Sequence, residues 1–247
     1  MGIGRSTQSH TRTRIRIVVP AAGSGTRFAA GIPKQYADLG GKPMLTRTLE
    51  RLATIGAEET LVALSPDDSQ YDTMIGHRPG IVALRCGGAT RGATVRNAVA
   101  MLASRCDGDD WILVHDAARP CVSYDALSRL VTDLADDAVG GLLAVPLADT
   151  LKRAEGAAEL RVLRTEAREG LWLAQTPQMF RCRVLAAAYR GDAAADCTDE
   201  AQAVEELAAA GGCAKPRLVR GSSDNLKITR PADLALALAI LKLQEAM

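Results

Sequence analysis

"RIRIVVPAAGSGTRFAAGIPKQY", Arg14 to Tyr36, is the stretch on which the fold turns. Its first seven residues form an apolar run of strand length, with Ile and Val at the centre. The run opens at once into Gly23 and Gly25, two apart, then Arg27 and, seven residues on, Lys34. Glycines directly after a strand let the backbone pass close to a ligand and turn its N–H groups toward an anion. A guanidinium fork and an ammonium point charge on one loop suit a polyanion such as a triphosphate. The same residues also read as a plain strand-to-helix turn bearing two solvated charges. Two familiar motifs are excluded: Phe28 stands where a dinucleotide fingerprint needs a third small residue, and no G-K-[ST] follows for a P-loop.

Working outward, similar short Val/Ile/Leu runs recur at Thr60–Ser65, Ile81–Cys86, Trp111–Ala117 and Gly141–Leu147. Each reads as a strand buried on both faces. Helix-period apolar spacing lies between them at Pro43–Ile55, Thr94–Ala103 and Ser123–Leu134. The alternation predicts an α/β fold, a mainly parallel twisted sheet with helices on both faces, whose ligands sit beyond the carboxyl ends of the strands. The loops "AAGSGTR", "GGATR" and "DAARP" follow the first, third and fourth strands and are expected to converge there.

"DTLKRAEGAAELRVLRTEAREGLW", Asp149 to Trp172, breaks this rhythm. It predicts two charged strands around a glycine turn, a β-arm over about 148–171. A lone hairpin is marginal in water, so the arm is expected to pack on a second chain as a dimer. The alternative is a loose surface loop. Helices are predicted at Arg183–Ala188 and Thr198–Ala210, with Thr198 as cap, and from Pro231 through "LALALAILKLQEA". One or two strands are expected within "PRLVRGSSDNLKIT". Residues 1–13 read as a flexible tail and 14–247 as a single domain.

With 30 basic and 29 acidic residues the net charge is +1, so an anion site must be local and nucleic acid is not an expected partner. Aromatics, at 3%, are too sparse for stacking single strands. Six cysteines without a C-x-x-C pair, and three histidines, indicate a reducing compartment and no structural zinc. The first residues lack an apolar leader core and no later run suits a membrane span, so the expected location is cytoplasmic.

Several residues at the strand ends can carry chemistry. Asp116 ends the run "WILVH" and is either a ligand for Mg²⁺, which prefers hard oxygens shared with phosphates, or a turn cap. His115 alternates to the other face and reads as a packed core histidine. Gly87 and Gly88 leave room for a flat base, with the Thr94 hydroxyl as its donor or as a helix cap. Asp224 and Lys227, in "DNLK", are a further charged pair, which also reads as solvated surface.

Taken in order, "PAAGSGTR", "PKQY", "GGATR", "VHDAARP", "DTLKR", "GLWLAQTPQ", "TDEA" and "DNLKITRPADL" closely resemble the 2-C-methyl-D-erythritol 4-phosphate cytidylyltransferase family. The resemblance runs from Ile15 to the last helix and implies a Rossmann-like nucleotidyltransferase fold whose β-arm exchanges between subunits of a homodimer. It implies a reaction of CTP with 2-C-methyl-D-erythritol 4-phosphate in non-mevalonate isoprenoid synthesis. Arg27, Lys34 and Lys227 are then the catalytic cations and Asp116 the Mg²⁺ ligand. Ala21, Ala22, Gly23, Gly88, Thr94 and Ala117 line the nucleotide. Thr150, Arg168 and Asp224 attend the acceptor, with Lys152 and Arg153 nearby. Two departures stand out: Thr94 replaces a common serine, and Ala89 stands where some members carry an acidic residue.

Overall fold

The structure is a computed structural model and describes residues 14–23, 32–156, 159–190 and 196–246. Strands β1 (Ile15–Ala21), β2 (Glu59–Leu64), β3 (Ile81–Leu84) and β4 (Trp111–Val114) arise from the four apolar runs expected on the amino side. They are joined by β5 (Gly140–Pro146), β8 (Trp172–Arg181) and β9 (Arg217–Arg220) in one seven-stranded sheet of order β3-β2-β1-β4-β8-β5-β9. The pairs β1·β2, β2·β3, β1·β4 and β5·β9 are parallel, whereas β8 runs antiparallel to both β4 and β5.

Alternation along β1 sends its side chains into two separate cores. Ile17, Val19 and Ala21 meet Leu113 on one face, beneath Leu45 and Leu49 of α1 (Met44–Leu52) and Leu127 and Leu130 of α4 (Tyr124–Leu134). On the other face, Val18, Ile112 and Val114 meet Val95 and Val99 of α3 (Arg91–Ala103), Leu185 of α5 (Cys182–Ala188) and Val204 of α6 (Glu200–Ala209). A short helix α2 (Tyr71–Met74) follows β2. The last helix, α7 (Asp233–Glu245), closes a third cluster with Leu39, Met44, Ala118 and Ile228 near the carboxyl ends of β1 and β4.

The helix ends differ from expectation by local capping chemistry. Thr90, not Thr94, caps α3 by accepting from Ala93 N at 3.0 Å. Asp199, not Thr198, caps α6 by accepting from Gln202 N at 2.9 Å, because its carboxylate is the stronger acceptor for an orphan amide. α7 begins at Asp233, with Pro231 in the preceding turn, and "PRLVRGSSDNLKIT" yields one strand, after which the chain runs as a loop. Strand β8 had no counterpart among the sequence-based expectations: Gln175, Pro177 and Gln178 interrupt the pattern that marks a central strand.

Between β5 and β8 the chain forms a two-stranded unit, β6 (Leu151–Glu155) paired antiparallel with β7 (Arg161–Glu166), the two strands expected of an arm. Gly156, directly after β6, has φ +83°. Residues 1–13, the expected tail, lie outside the described residues.

Candidate active site

Parallel strands end on the same side of a sheet, so residues 21–23 at the end of β1 and the polar loops after β3 and β4 meet. They enclose a cleft of about 400 Å³. Ala21, Ala22 and Gly23 form one wall, Gly88 and Thr94 another, and Asp116 and Ala117 the floor beyond β4. Lys34 and Lys227 reach in from the sides. Nine of the residues singled out in the sequence thus share this one cleft. Arg27 lies outside the described residues. Thr150, Arg168 and Asp224 are exposed and are not among the residues lining it.

Local hydrogen bonds fix the walls. Pro33 leads into a single 3-10 turn, Lys34–Tyr36, in which Gln35 Nε2 donates to Ala21 O at 2.9 Å and Lys34 Nζ donates to Ile228 O at 2.9 Å. The ammonium is thereby tied to the segment that carries Lys227. Gly87 and Gly88 are required by close approach. A Cβ on Gly87 would stand 2.5 Å from Ala22 Cβ and 2.7 Å from Leu64 O, and one on Gly88 would stand 2.6 Å from Ala93 Cβ. The Thr94 hydroxyl donates to Thr90 O at 2.9 Å and accepts from Gly88 N at 3.1 Å, so it holds the glycine loop onto α3.

Asp116 is the electrostatic centre. Its Oδ1 accepts from Arg91 Nε at 2.7 Å and its Oδ2 from Lys227 Nζ at 2.8 Å. Burial opposes its ionisation, but Arg91 and Lys227 outweigh burial and hold the carboxyl well below the usual carboxylate range. Its backbone N–H donates to Thr176 Oγ1 at 3.0 Å. Behind it, His115 is fully buried: Nε2–H donates to Arg119 O at 3.0 Å, leaving Nδ1 to accept from the Thr176 hydroxyl at 3.2 Å. Burial pushes this imidazole down to about 4, so it is neutral and structural at pH 7.

Three cationic side chains, Lys34, Arg91 and Lys227, line the cleft among the described residues, against the single carboxylate of Asp116. That surplus of positive charge in a concave, partly dry site is suited to phosphates. The donor set also fits a magnesium ion. Asp116 is an ionised hard-oxygen donor with spare lone pairs, and Mg²⁺ is commonly held by one or two carboxylates with phosphates and water supplying the rest.

A sequence profile described as "2-C-methyl-D-erythritol 4-phosphate cytidylyltransferase" matches residues 15–243. The chain belongs to the 2-C-methyl-D-erythritol 4-phosphate cytidylyltransferase family. A cytidylyltransferase of that name from Dechloromonas aromatica is 52% identical, over 91% of this chain and 96% of its own length. One from Chromobacterium violaceum is 51% identical with the same coverage. Among solved structures, a 4-diphosphocytidyl-2C-methyl-D-erythritol synthase superposes with a TM-score of 0.79 at 39% identity, covering 93% of this chain and 99% of that one. The cytidylyltransferase of Francisella tularensis gives 0.77 at 34% identity, covering 92% and 100%. The fold is therefore that of the family's nucleotidyltransferases, and the protein is an enzyme.

Arg91 and Glu200 are the cytidylyltransferase residues that sequence reasoning left without a role. Arg91 closes "GGATR" and Glu200 sits within "TDEA", but the pair is 109 positions apart. The one available signal was that both open a helix, which in a doubly wound fold brings charged side chains toward the loop end of the sheet.

Proposed function

We infer that this protein transfers the cytidylyl group of CTP to 2-C-methyl-D-erythritol 4-phosphate, giving 4-diphosphocytidyl-2-C-methyl-D-erythritol and pyrophosphate. The observation that carries the reading is the meeting of Lys34, Lys227 and Asp116 in one cleft of a chain that belongs to this family. A phosphate monoester attacks the α-phosphorus of CTP. A new P–O bond forms to the monoester oxygen as the bond to the β-phosphate bridging oxygen breaks. Both reactants are anions, so repulsion is the first barrier, and positioned cations lower it.

Lys34, tied to Ile228 O, lies beside the β1 loop and is suited to the triphosphate, with Arg27 as its partner in the family's pattern. Lys227 is suited to the acceptor phosphate, and Asp116 would hold Mg²⁺. Such an ion, when bound, supplies further neutralisation of phosphate oxygens. No general base is required, since a phosphate monoester carries close to two charges at neutral pH. His115, neutral and walled in by Thr176 and the Arg119 carbonyl, is unavailable for that task. Ala21, Ala22, Gly23, Gly88, Thr94 and Ala117 form the nucleotide side. Ala89 leaves the position beside Gly88 without a charged contact to the base.

The second half of the reading concerns assembly. The arm carries Leu160, Val162 and Leu163 in the open, with Val162 62% exposed, beside Arg153 and Arg164. An apolar strip on a marginal hairpin is best buried by a second copy. In such a homodimer, Thr150 and Arg168 serve the neighbour's acceptor site, with Asp224 at its edge. No helix among the described residues is long and apolar enough to cross a membrane. A cytoplasmic setting is supported by six free thiols.

The test is pyrophosphate release from CTP and Mg²⁺ with either 2-C-methyl-D-erythritol 4-phosphate or ribitol 5-phosphate as acceptor. Release with the first acceptor, and background release from the Lys34→Ala variant, is the expected result. Preference for ribitol 5-phosphate would overturn the acceptor assignment, and no release with either would overturn the activity.

A further inference from the structure

We propose that Glu200 is a positioning residue that divides the two cations of Asp116 into a fixed one, Arg91, and a transferable one, Lys227. The inference rests on the reading of the cleft as a cytidylyl-transfer site and extends it to a residue that is not among those lining the cleft.

The geometry of the two cations differs. Arg91 spans two carboxylates: Nε donates to Asp116 Oδ1 at 2.7 Å, while Nη1 and Nη2 donate to Glu200 Oε1 and Oε2 at 2.7 and 3.2 Å. Glu200 is completely buried, and the Tyr189 hydroxyl also donates to its Oε1, at 3.4 Å. Burial works against the Arg91 charge, but Glu200 and then Asp116 more than offset it. Lys227 makes a single contact with Asp116 and its side chain is 41% exposed, against 24% for Arg91.

The arrival of two phosphorylated reactants draws on both cations. Lys227 is the readier of the two to leave Asp116, because its side chain is 41% exposed and its ammonium is held there by one carboxylate, while Arg91 remains as the counter-charge of the buried Asp116. Arg91 cannot follow without leaving the buried Glu200 carboxylate only the Tyr189 hydroxyl at 3.4 Å, and removing the charged partner of a buried carboxylate is costly. Asp116 therefore keeps one counter-charge and one orientation while Lys227 turns to phosphate.

The frame around Glu200 is built to hold it still. Gln178, on β8, accepts from Ala201 N at 2.7 Å and donates to Asp199 Oδ2 at 2.9 Å, pinning the start of α6. The same strand supplies Thr176, which accepts from Asp116 N. Arg91, Glu200 and Asp116 are thus referred to one rigid element.

Replacing Glu200 by Gln keeps size and shape but removes the charge, so the guanidinium becomes free to pair with phosphate. The experiment compares wild type, Glu200→Gln, Arg91→Met and the double variant by steady-state kinetics, calorimetric titration with CTP, and ¹⁵N spectra of the arginine Nε–H groups. We expect Glu200→Gln to lower kcat by about ten- to a hundredfold, as a misplaced group does, without raising KM or Kd for CTP. The Arg91 Nε–H signal should change from slow to fast exchange with water. The double variant should be no slower than Arg91→Met alone, because the two act as one unit. A Glu200→Gln enzyme within about twofold of wild type, or one whose kcat loss simply adds to that of Arg91→Met, overturns the proposal. A rise in Kd for CTP matching the fall in kcat also overturns it.

Should Glu200→Gln fail to fold by circular dichroism, Arg91→Lys replaces it. A lone ammonium cannot span both carboxylates, and the same pattern of kcat loss with unchanged CTP affinity decides the question. If wild type binds CTP but does not act on 2-C-methyl-D-erythritol 4-phosphate, the acceptor assignment alone fails. The CTP affinities and Nε–H exchange still judge Glu200.

Discussion

At the scale of single residues, the cleft works by the placement of charge. Removing the Lys34 ammonium should lower kcat by about 10²–10³, the loss typical of one donor aimed at a developing oxyanion, with little change in melting temperature. Single-turnover measurement with saturating CTP checks this. Two neighbouring groups give separable pH signatures. Asp116 is held below the ordinary carboxylate range, so its stabilising effect is whole above the unfolded value of 3.8 and is lost as pH falls below that. His115, pushed down to about 4 by burial, makes the unfolded chain the first to take up a proton. Its contribution therefore falls away between 6.5 and about 4. Melting curves in chelating buffer should show the gap between wild type and Asp116→Asn narrowing below about pH 4. His115→Gln should flatten the slope above it. Asp116 was legible because a carboxylate abruptly ends the apolar run of β4, Lys34 because it shares a glycine loop with Arg27, and Lys227 only through the family resemblance of "DNLK". Arg91 and Glu200 were not, since nothing in linear order pairs residues 109 apart.

At the scale of elements, capping and strand pairing decide which side chains reach the site. Asp199 both accepts from Gln202 N and receives Gln178 Nε2, so it fixes the first turn of α6 and the Glu200 side chain with it. Asp199→Ala should cost about 0.5–2 kcal/mol of stability in urea unfolding, with a fall in kcat beyond that of Ser123→Ala, which removes the cap of α4, where Ser123 Oγ accepts from Ala126 N at 3.2 Å. The arm makes a separate prediction. A charge at Val162 or Leu163, both exposed, should abolish self-association in sedimentation velocity while leaving the melting temperature of the monomer nearly unchanged. The parallel half of the sheet and most helices were readable because apolar runs of strand length alternate with helix-period stretches. β8 escaped notice because its inward-facing polar side chains, Gln175, Thr176 and Gln178, are buried to serve the site and so break the pattern of a core strand.

At the scale of the whole molecule, a near-neutral chain lines one cleft with three cations and one carboxylate among the described residues and offers its apolar arm strip elsewhere. If the arm of one subunit completes the site of another, Lys34→Ala and Arg168→Ala chains are each inactive as homodimers but complementary when mixed. Equal mixing and full exchange should restore about a quarter of the wild-type activity, because half the dimers are mixed and each has one intact site. Mixtures that stay inactive after mass spectrometry has verified exchange would rule out a shared site. Strand β8 lends that assembly a mechanical meaning. Its first three residues, Trp172–Ala174, are exposed at the arm end, and its remaining seven are buried, passing Thr176 beneath Asp116 on the way to Arg181. If the arm grips a neighbour, a single strand links that contact to the carboxylate on the cleft floor, so strain at its outer end would be carried toward the cleft.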